Sequence, residues 1–189
     1  MQRFAVGIEF SGANYRGWQT QQTGVVCLQE TIEHALSKVA NEPIMLHGAG
    51  RTDAGVHATN MVAHFDSNAA RTVDAWLLGS NSLLPKDISI QWVQNIDTEF
   101  HARHKAQARR YRYVTYNHKV RPALLHKQIT HIYAPLDAEK MMLAAQKFEG
   151  THNFESFRAT ACQSNQPVRT PGNSLVRQNI PIIITPQPP

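Results

Sequence analysis

The sequence predicts an α+β fold, in which helices cover one face of a mostly antiparallel sheet. Apolar residues alternate over residues 4–10, the period of a half-buried strand, and recur at helical spacing over residues 28–40. Along residues 1–99, such patterns give the order strand, helix, strand, strand, helix, strand. That order is typical of a ferredoxin-like sandwich. We predict two pseudo-repeated domains, residues 1–99 and residues 100–189.

The first three elements follow from apolar spacing and from a helix-stop signal. The first strand alternates apolar and other residues up to Phe10, and Ser11–Asn14 ends it. The next apolar face predicts a helix over Gln29–Ala40, with Pro43 beyond its end as a stop. Residues Ile44–Leu46 are then expected to form a short strand into a glycine-rich stretch.

The remaining elements of this half are equally local predictions. Residues 61–65 alternate as the strand that leaves the glycine-rich stretch. The side chain of Thr72 can cap a helix over Val73–Leu84, which Pro85 ends. Residues 88–92 mark the last strand.

Residues 101–121 are basic and contain no acidic residue. The cations are Arg103, Lys105, Arg109, Arg110, Arg112, Lys119 and Arg121. They are interleaved with Tyr111, Tyr113 and Tyr116, so a strand here would place Tyr111 and Tyr113 on the same face. Two interpretations stay open, an RNA-binding surface or an ordinary strand with half-buried tyrosines. Beyond it, Asp137 can cap a helix that Gly150 closes.

The composition narrows the class of protein. The chain has 189 residues, 42% of them hydrophobic, which is enough for a proper core in one or two domains. Lysine and arginine total 19 against 14 acidic residues, and the net charge of +5 favours polyanionic partners. Two cysteines are too few for a disulfide framework. Because neither a signal peptide nor an apolar span is visible, a cytoplasmic location is expected.

The stretch Gly48–Ala58 is the strongest candidate for a functional site. Its three glycines predict a tight, exposed loop that presents Asp53, and the nearby Arg51 would favour the ionised carboxylate. The stretch lacks the third glycine of a dinucleotide fingerprint and the Gly-Lys-Ser/Thr of a triphosphate-binding loop. Gly55 argues against a helix that would join Asp53 to His57 as metal ligands, so no metal site is expected. From spacing alone, a plain turn is the favoured interpretation.

A second loop follows the first strand. We expect it to expose Tyr15, Arg16 and Trp18 together with glutamines that include Gln21. Such a mixture could stack on bases or contact phosphate. A surface loop with one aromatic anchor is the simpler alternative, because isolated exposed aromatics are common.

Three motifs resemble those of the TruA family of tRNA pseudouridine synthases. Gly50–Ala58 is similar to the family signature, Tyr15–Gln21 to its N-terminal loop, and Ala108–Asn117 to the strand that carries a base-stacking tyrosine. Phe100–Arg103 and Phe154–Arg158 are similar as well. The resemblance extends from about Arg3 to about Arg169. Residues 170–189 depart from it, so the second domain is expected to be incomplete, its C-terminal part truncated or altered.

The resemblance implies a function and a set of site residues. The family isomerises uridine to pseudouridine in the anticodon stem and loop of tRNA, uses no cofactor, and is typically a homodimer. Asp53 corresponds to the catalytic carboxylate, and Tyr111 to the residue that receives the flipped base. Arg51 would enter the vacated stem, hold a phosphate or pair with Asp53. Candidates for RNA contacts are Arg103, Arg109, Arg110, Arg112, Trp18 and Gln21.

Two hypotheses therefore remain at this point. The first is an active tRNA pseudouridine synthase whose ionised Asp53 is indispensable. The second is a catalytically inactive, truncated RNA-binding remnant of the same family, which keeps the basic segment.

Overall fold

The computed structural model describes residues 1–19, 24–157 and 167–172. The chain forms two compact units, the first made of Met1–Tyr116 and Arg121–His131 and the second of Asn117–Val120 and the described residues from Ile132 onward. The predicted boundary between residues 99 and 100, and the predicted repetition of one domain in the other, remain predictions.

The first unit contains a four-stranded antiparallel sheet and two helices. Its strands are β1 (Gln2–Phe10), β2 (His47–Gly48), β3 (Ala58–Ser67) and β4 (Ile88–Ile96). Their order across the sheet is β2-β3-β1-β4, and all neighbours are antiparallel. Helix α1 (Leu28–Ala40) follows β1 and helix α2 (Val73–Leu83) follows β3. This split βαβ arrangement confirms the predicted α+β fold class.

The core lies between one face of the sheet and the two helices. The alternating residues of β1, from Phe4 to Phe10, are buried together with the apolar face of α1 and with Trp76 of α2. The ring centroids of Phe4 and Phe65 lie 5.4 Å apart, and those of Phe65 and Trp76 lie 4.9 Å apart. Burial of such rings is the main stabilising contribution to a core of this kind.

The capping residues in the sequence predict where the helices begin, whereas apolar alternation predicts some strand ends incorrectly. The side chain of Thr72 accepts a hydrogen bond from Ala75 N at 3.1 Å, as predicted. The strand expected at Ile44–Leu46 is wrong. Ile44 and Leu46 are buried, but the ladder with β3 begins only at His47.

The prediction of a strand throughout Ala108–Asn117 is also wrong. Only β5 (Thr115–Asn117) is a strand, and it pairs with β6 (Thr130–Ile132). Residues 106–114 belong to no strand. Alternation alone does not make a strand, because a strand also needs a ladder partner for its backbone groups.

The second unit has little buried surface among its described residues. Helix α3 (Ala138–Gln146) is capped by Asp137, whose side chain accepts from Lys140 N at 3.0 Å, and it has no buried residue. Strands β7 (His152–Asn153) and β8 (Val168–Arg169) pair antiparallel. The ring of Phe157 lies 5.5 Å from that of Phe148. Most of the tail that departs from the family pattern lies outside the described residues.

Within the described residues, no helix is both long and apolar enough to cross a bilayer.

Candidate functional site

Asp53 lies in the loop that joins β2 to β3. We call residues 49–57 the aspartate loop. Asp53 and Arg51 are both exposed. Val56 N donates to Asp53 O at 3.3 Å, and Gly55 has a φ of +80°, so the chain turns directly after the carboxylate. The predicted tight, exposed loop is therefore confirmed, and its glycine provides the left-handed backbone.

The aspartate loop packs against the loop that follows β1. Trp18 N donates to Thr52 O at 3.0 Å. A Cβ on Gly17, which has a φ of +98°, would lie 2.6 Å from Thr52 O, and a Cβ on Gly12 would lie 2.0 Å from Val56 O. The two loops thus meet backbone to backbone, and a side chain at either glycine would force them apart.

The buried side chain of Trp18 packs against Gly48, directly before the aspartate loop. Its side chain is only 3% exposed, and a Cβ on Gly48 would lie 2.9 Å from the indole ring. The ring centroid of Phe10 is 6.1 Å away. Tyr15 is buried as well, and its hydroxyl donates to Asp87 Oδ1 at 2.8 Å.

The expectation that this loop exposes Tyr15 and Trp18 is therefore wrong. Both rings complete the apolar core at the end of β1, where burial outweighs solvent exposure. Trp18 has almost no surface left to offer to a base, which removes its basis as an RNA-contact candidate. Gln21, predicted beside it, lies outside the described residues.

The basic segment, residues 105–114, presents its side chains to solvent. The side chains of Tyr111 and Tyr113 are 84% and 79% exposed. Arg109, Arg110 and Arg112 are exposed too, as is Arg103 just before the segment. The interpretation of the tyrosines as half buried in an ordinary strand is thus contradicted, and the structure leaves both rings accessible to a ligand.

Two side chains connect the aspartate loop to the basic segment and to the turn beyond it. Arg109 Nη2 donates to Ala49 O at 2.5 Å. His57 Nε2 lies 2.9 Å from Lys127 O, and because a carbonyl oxygen only accepts, the imidazole nitrogen is the donor. Spacing in the sequence gave no sign of either contact.

The imidazole rings of four histidines pack against one another directly before the basic segment. His47 and His64 pair across β2 and β3 with their ring centroids 5.0 Å apart. The ring of His101 lies 4.6 Å from that of His64, and the ring of His104 lies 4.3 Å from that of His101. Nothing in the sequence pattern indicates this cluster, because both the pairing of β2 with β3 and the course of the chain after β4 bring these residues together.

His64 is held in its neutral form. It is 1% exposed, and its Nδ1 accepts a hydrogen bond from Ala102 N at 3.2 Å. Burial, together with the charges of His101 and His47, lowers the pKa of His64 from 6.5 to about 4. Burial and the neighbouring His104 also lower the pKa of His101. Among the residues described, no group of three or more histidine, cysteine, aspartate or glutamate side chains is arranged to hold a metal ion.

Arg3 forms an ion pair with Asp66 and also binds the backbone directly before His101. Arg3 Nε and Nη2 donate to the two carboxylate oxygens of Asp66, each at 2.7 Å. Arg3 Nη1 also donates to the carbonyl oxygens of Phe100, at 2.8 Å, and of Thr98. The hydrogen bond and charge of Arg3 lower the pKa of Asp66. The pair therefore ties the connection between β4 and the basic segment to the middle of the sheet.

Comparisons with known proteins give a consistent result. A family model described as tRNA pseudouridine synthase matches residues 7–105, which include the aspartate loop. A protein of Acinetobacter baumannii named tRNA pseudouridine synthase A is 75% identical over 169 residues, which cover 89% of this chain and 64% of that relative.

Two further relatives carry the same name. One from Acinetobacter baylyi is 73% identical over 169 residues, covering 89% of this chain and 62% of the relative. One from Aeromonas hydrophila is 50% identical over 182 residues, covering 96% of this chain and 67% of the relative. The chain thus spans less than two thirds of the length of the two Acinetobacter relatives.

Proposed function

Because the chain belongs to the tRNA pseudouridine synthase family, we propose that it converts uridine to pseudouridine in the anticodon stem and loop of tRNA. The reaction breaks the bond between ribose C1′ and uracil N1 and forms a bond between C1′ and uracil C5. The proton on C5 is lost to solvent and N1 gains one, so the product is an isomer of the substrate. No net oxidant, reductant or energy-rich cofactor is required.

The observation that carries the proposal is the exposed carboxylate of Asp53. It lies on a loop whose backbone is hydrogen-bonded to the loop after β1, within the residues that match the family model. Cleavage of a glycosidic bond builds positive character on the sugar, which a fixed carboxylate can stabilise or trap. Attack on the sugar, addition to the base and removal of a sugar proton are three possible roles. Each of them uses the carboxylate oxygens, so each makes Asp53 indispensable.

Tyr111 is the proposed stacking partner of the reacting base. A uridine in a stem must leave its stack before the carboxylate can reach it, at a cost of a few kcal/mol. An aromatic ring that stacks on a base contributes about 1–3 kcal/mol. The exposed ring of Tyr111 can thus offset much of the cost of extruding the base.

The exposed arginines supply the proposed contacts to the RNA backbone. Arg103, Arg110 and Arg112 belong to a stretch without any acidic residue, so they attract phosphate along its length. Such contacts fix the register of the RNA and leave selectivity to its shape. Arg51, beside Asp53, is proposed to contact the same substrate nucleotide or its neighbours.

RNA binding without turnover is the second candidate function. It is favoured by the exposed rings of the basic segment, which can bind a single strand whether or not chemistry follows. The two candidates differ in one observable, the loss of the C5 proton.

The test uses tRNA that carries tritium at uracil C5. The first proposal predicts tritium release by the purified chain, with pseudouridine appearing in the anticodon stem and loop. Binding of the same tRNA without any release would overturn it and leave the second candidate. The absence of both binding and release would overturn both.

The same proposal implies a cellular location and an oligomeric state for the protein. Since bacterial tRNA is processed in the cytoplasm, the proposed activity places the protein there. The homodimer typical of the family is likewise proposed for this chain, and sedimentation equilibrium with and without tRNA tests it. A monomer at all concentrations would overturn that part alone.

A further inference from the structure

The aspartate loop is hydrogen-bonded to the basic segment through the carbonyl of Ala49. Arg109 Nη2 donates to that carbonyl oxygen at 2.5 Å. On its other side, Ala49 N donates to Val62 O of β3 at 2.8 Å. Because Ala49 is fixed to the sheet, the bond from Arg109 ties the basic segment to the sheet as well.

Gly50 provides the space for this contact. A Cβ at Gly50 would lie 3.3 Å from Arg109 Nε, closer than an ordinary van der Waals contact. The guanidinium therefore lies directly against the backbone of the aspartate loop. The hydrogen bond is between a charged donor and a carbonyl, a stronger type than a neutral pair.

A second contact lies on the other side of Asp53. His57 Nε2 donates to Lys127 O at 2.9 Å. Lys127 has a φ of +67° and lies in a turn in which Gln128 N donates to Leu125 O at 3.0 Å. After the turn, Thr130 N donates to Val114 O at 2.9 Å and Thr130 Oγ1 to the hydroxyl of Tyr113 at 2.9 Å.

The two contacts lie on either side of Asp53 and on either side of Tyr111 along the chain. Ala49 and His57 lie at equal distances in sequence from Asp53, one before it and one after it. Arg109 precedes Tyr111, and the turn around Lys127 follows it. The backbone that carries Asp53 and the backbone that carries Tyr111 are thus joined at two places.

We propose that Arg109 is a positioning residue, which together with His57 holds the segment of Tyr111 against the aspartate loop. Its consequence for catalysis rests on the proposed function. An arginine engaged in this way acts through Tyr111 and Asp53 and not mainly as one more phosphate contact. This separates Arg109 from Arg110, its neighbour in the same exposed segment.

The separation predicts different kinetic effects for matched substitutions. Arg109→Ala should lower kcat at least about tenfold and change KM for tRNA by less than about threefold, since small misplacements of reacting groups slow the chemical step. Arg109→Lys should recover part of the loss, because an ammonium group can donate to the same carbonyl. Arg110→Ala removes the same charge and should raise KM with little effect on kcat.

Amide hydrogen exchange provides a readout that does not depend on activity. In Arg109→Ala, exchange over residues 49–57 and 109–114 should accelerate by about threefold or more, since local opening is less restrained. Arg110→Ala should leave the exchange rates of residues 49–57 unchanged. His57→Ala is the second variant, with faster exchange expected over residues 122–130.

Two outcomes would overturn the inference. One is an Arg109→Ala variant that matches Arg110→Ala in kcat, KM and exchange, which would make Arg109 a phosphate contact only. The other is unchanged exchange over residues 49–57 in Arg109→Ala, whatever the kinetics. If the unsubstituted chain releases no tritium, the proposed function fails, and the exchange experiment alone decides whether Arg109 holds the two segments together.

Discussion

The aspartate loop and the basic segment both present side chains to solvent, but they are built in opposite ways. The loop has a backbone fixed by Trp18 N, by Val62 O and by the close approach of Gly12 and Gly17. The basic segment belongs to no strand over residues 106–114 and exposes its rings along with its charges. The aspartate loop exposes a carboxylate on a backbone that is fixed by the neighbouring loop and strand. The basic segment exposes a series of aromatic and cationic side chains.

The two regions differ in the contacts that fix their backbones. The loop takes its order from the apolar core next to it, because Trp18 packs against Phe10 and against Gly48, the residue directly before the loop. The basic segment carries like charges that repel one another, and its order comes from a few hydrogen bonds, one from Arg109 and others to Tyr113 and Val114. We therefore expect stability to depend on residues under the loop and RNA affinity to depend on the basic segment.

The largest expected effect is on stability, from Trp18→Ala. Loss of a buried tryptophan side chain costs about 3–5 kcal/mol, from lost burial and from the cavity left behind. Tyr111→Ala, the matched aromatic substitution in the basic segment, should change the free energy of unfolding by less than about 0.5 kcal/mol. Urea unfolding followed by circular dichroism measures both. Equal losses in the two variants would contradict the division between the regions.

The next effect concerns the histidine cluster at the junction of the two regions. Because the pKa of His64 falls from 6.5 to about 4 on folding, the unfolded chain binds more protons between these pH values. Stability is then lost as the pH falls from about 6.5 towards 4, by up to about 3 kcal/mol. Protonation of Nδ1 would also remove the hydrogen bond from Ala102 N.

His64→Gln isolates this contribution from the titration of carboxylates. Glutamine can accept from Ala102 N but does not titrate, so the variant should lose less stability than the parent chain between pH 6.5 and pH 4. His34→Gln, at an exposed position on α1, is the control and should retain the parent slope. Identical slopes for His64→Gln and the parent chain would show that His64 is not the titrating group.

The smallest of the three effects is on RNA affinity, from Tyr111→Ala. Loss of one stacked ring costs about 1–3 kcal/mol, or roughly fivefold to 150-fold in the dissociation constant for tRNA. Tyr111→Phe keeps the ring and should bind within about twofold of the parent chain. Filter binding at fixed salt measures both. Equal loss in the two variants would indicate that the hydroxyl matters and not the stacking surface.

Local signals in the sequence predicted most of the scaffold. The alternation in β1, the helical face of α1 and the caps at Thr72 and Asp137 depend on residues close together in the chain, and the structure has all of them. The strand expected over Ala108–Asn117 failed because its ladder partner could not be read from its own alternation.

The missed features all depend on distant parts of the chain. Trp18 was expected on the surface, and its burial results from contact with Gly48 and Phe10. The bond from Arg109 to Ala49 and the stacking of His64 on His47 likewise require the register of β2 on β3. The motifs of a single sequence proposed Asp53 and Tyr111 as site residues but gave no information on what holds the two segments together.

The most direct test of the account is single-turnover tritium release by Asp53→Asn. The substitution keeps the size and shape of the side chain and removes the charge, so the braced loop should retain its fold and its affinity for tRNA. The account predicts at least about a thousandfold loss of release relative to the parent chain, with tRNA binding within about twofold. Release at the parent rate by a folded Asp53→Asn protein would contradict the role of the carboxylate.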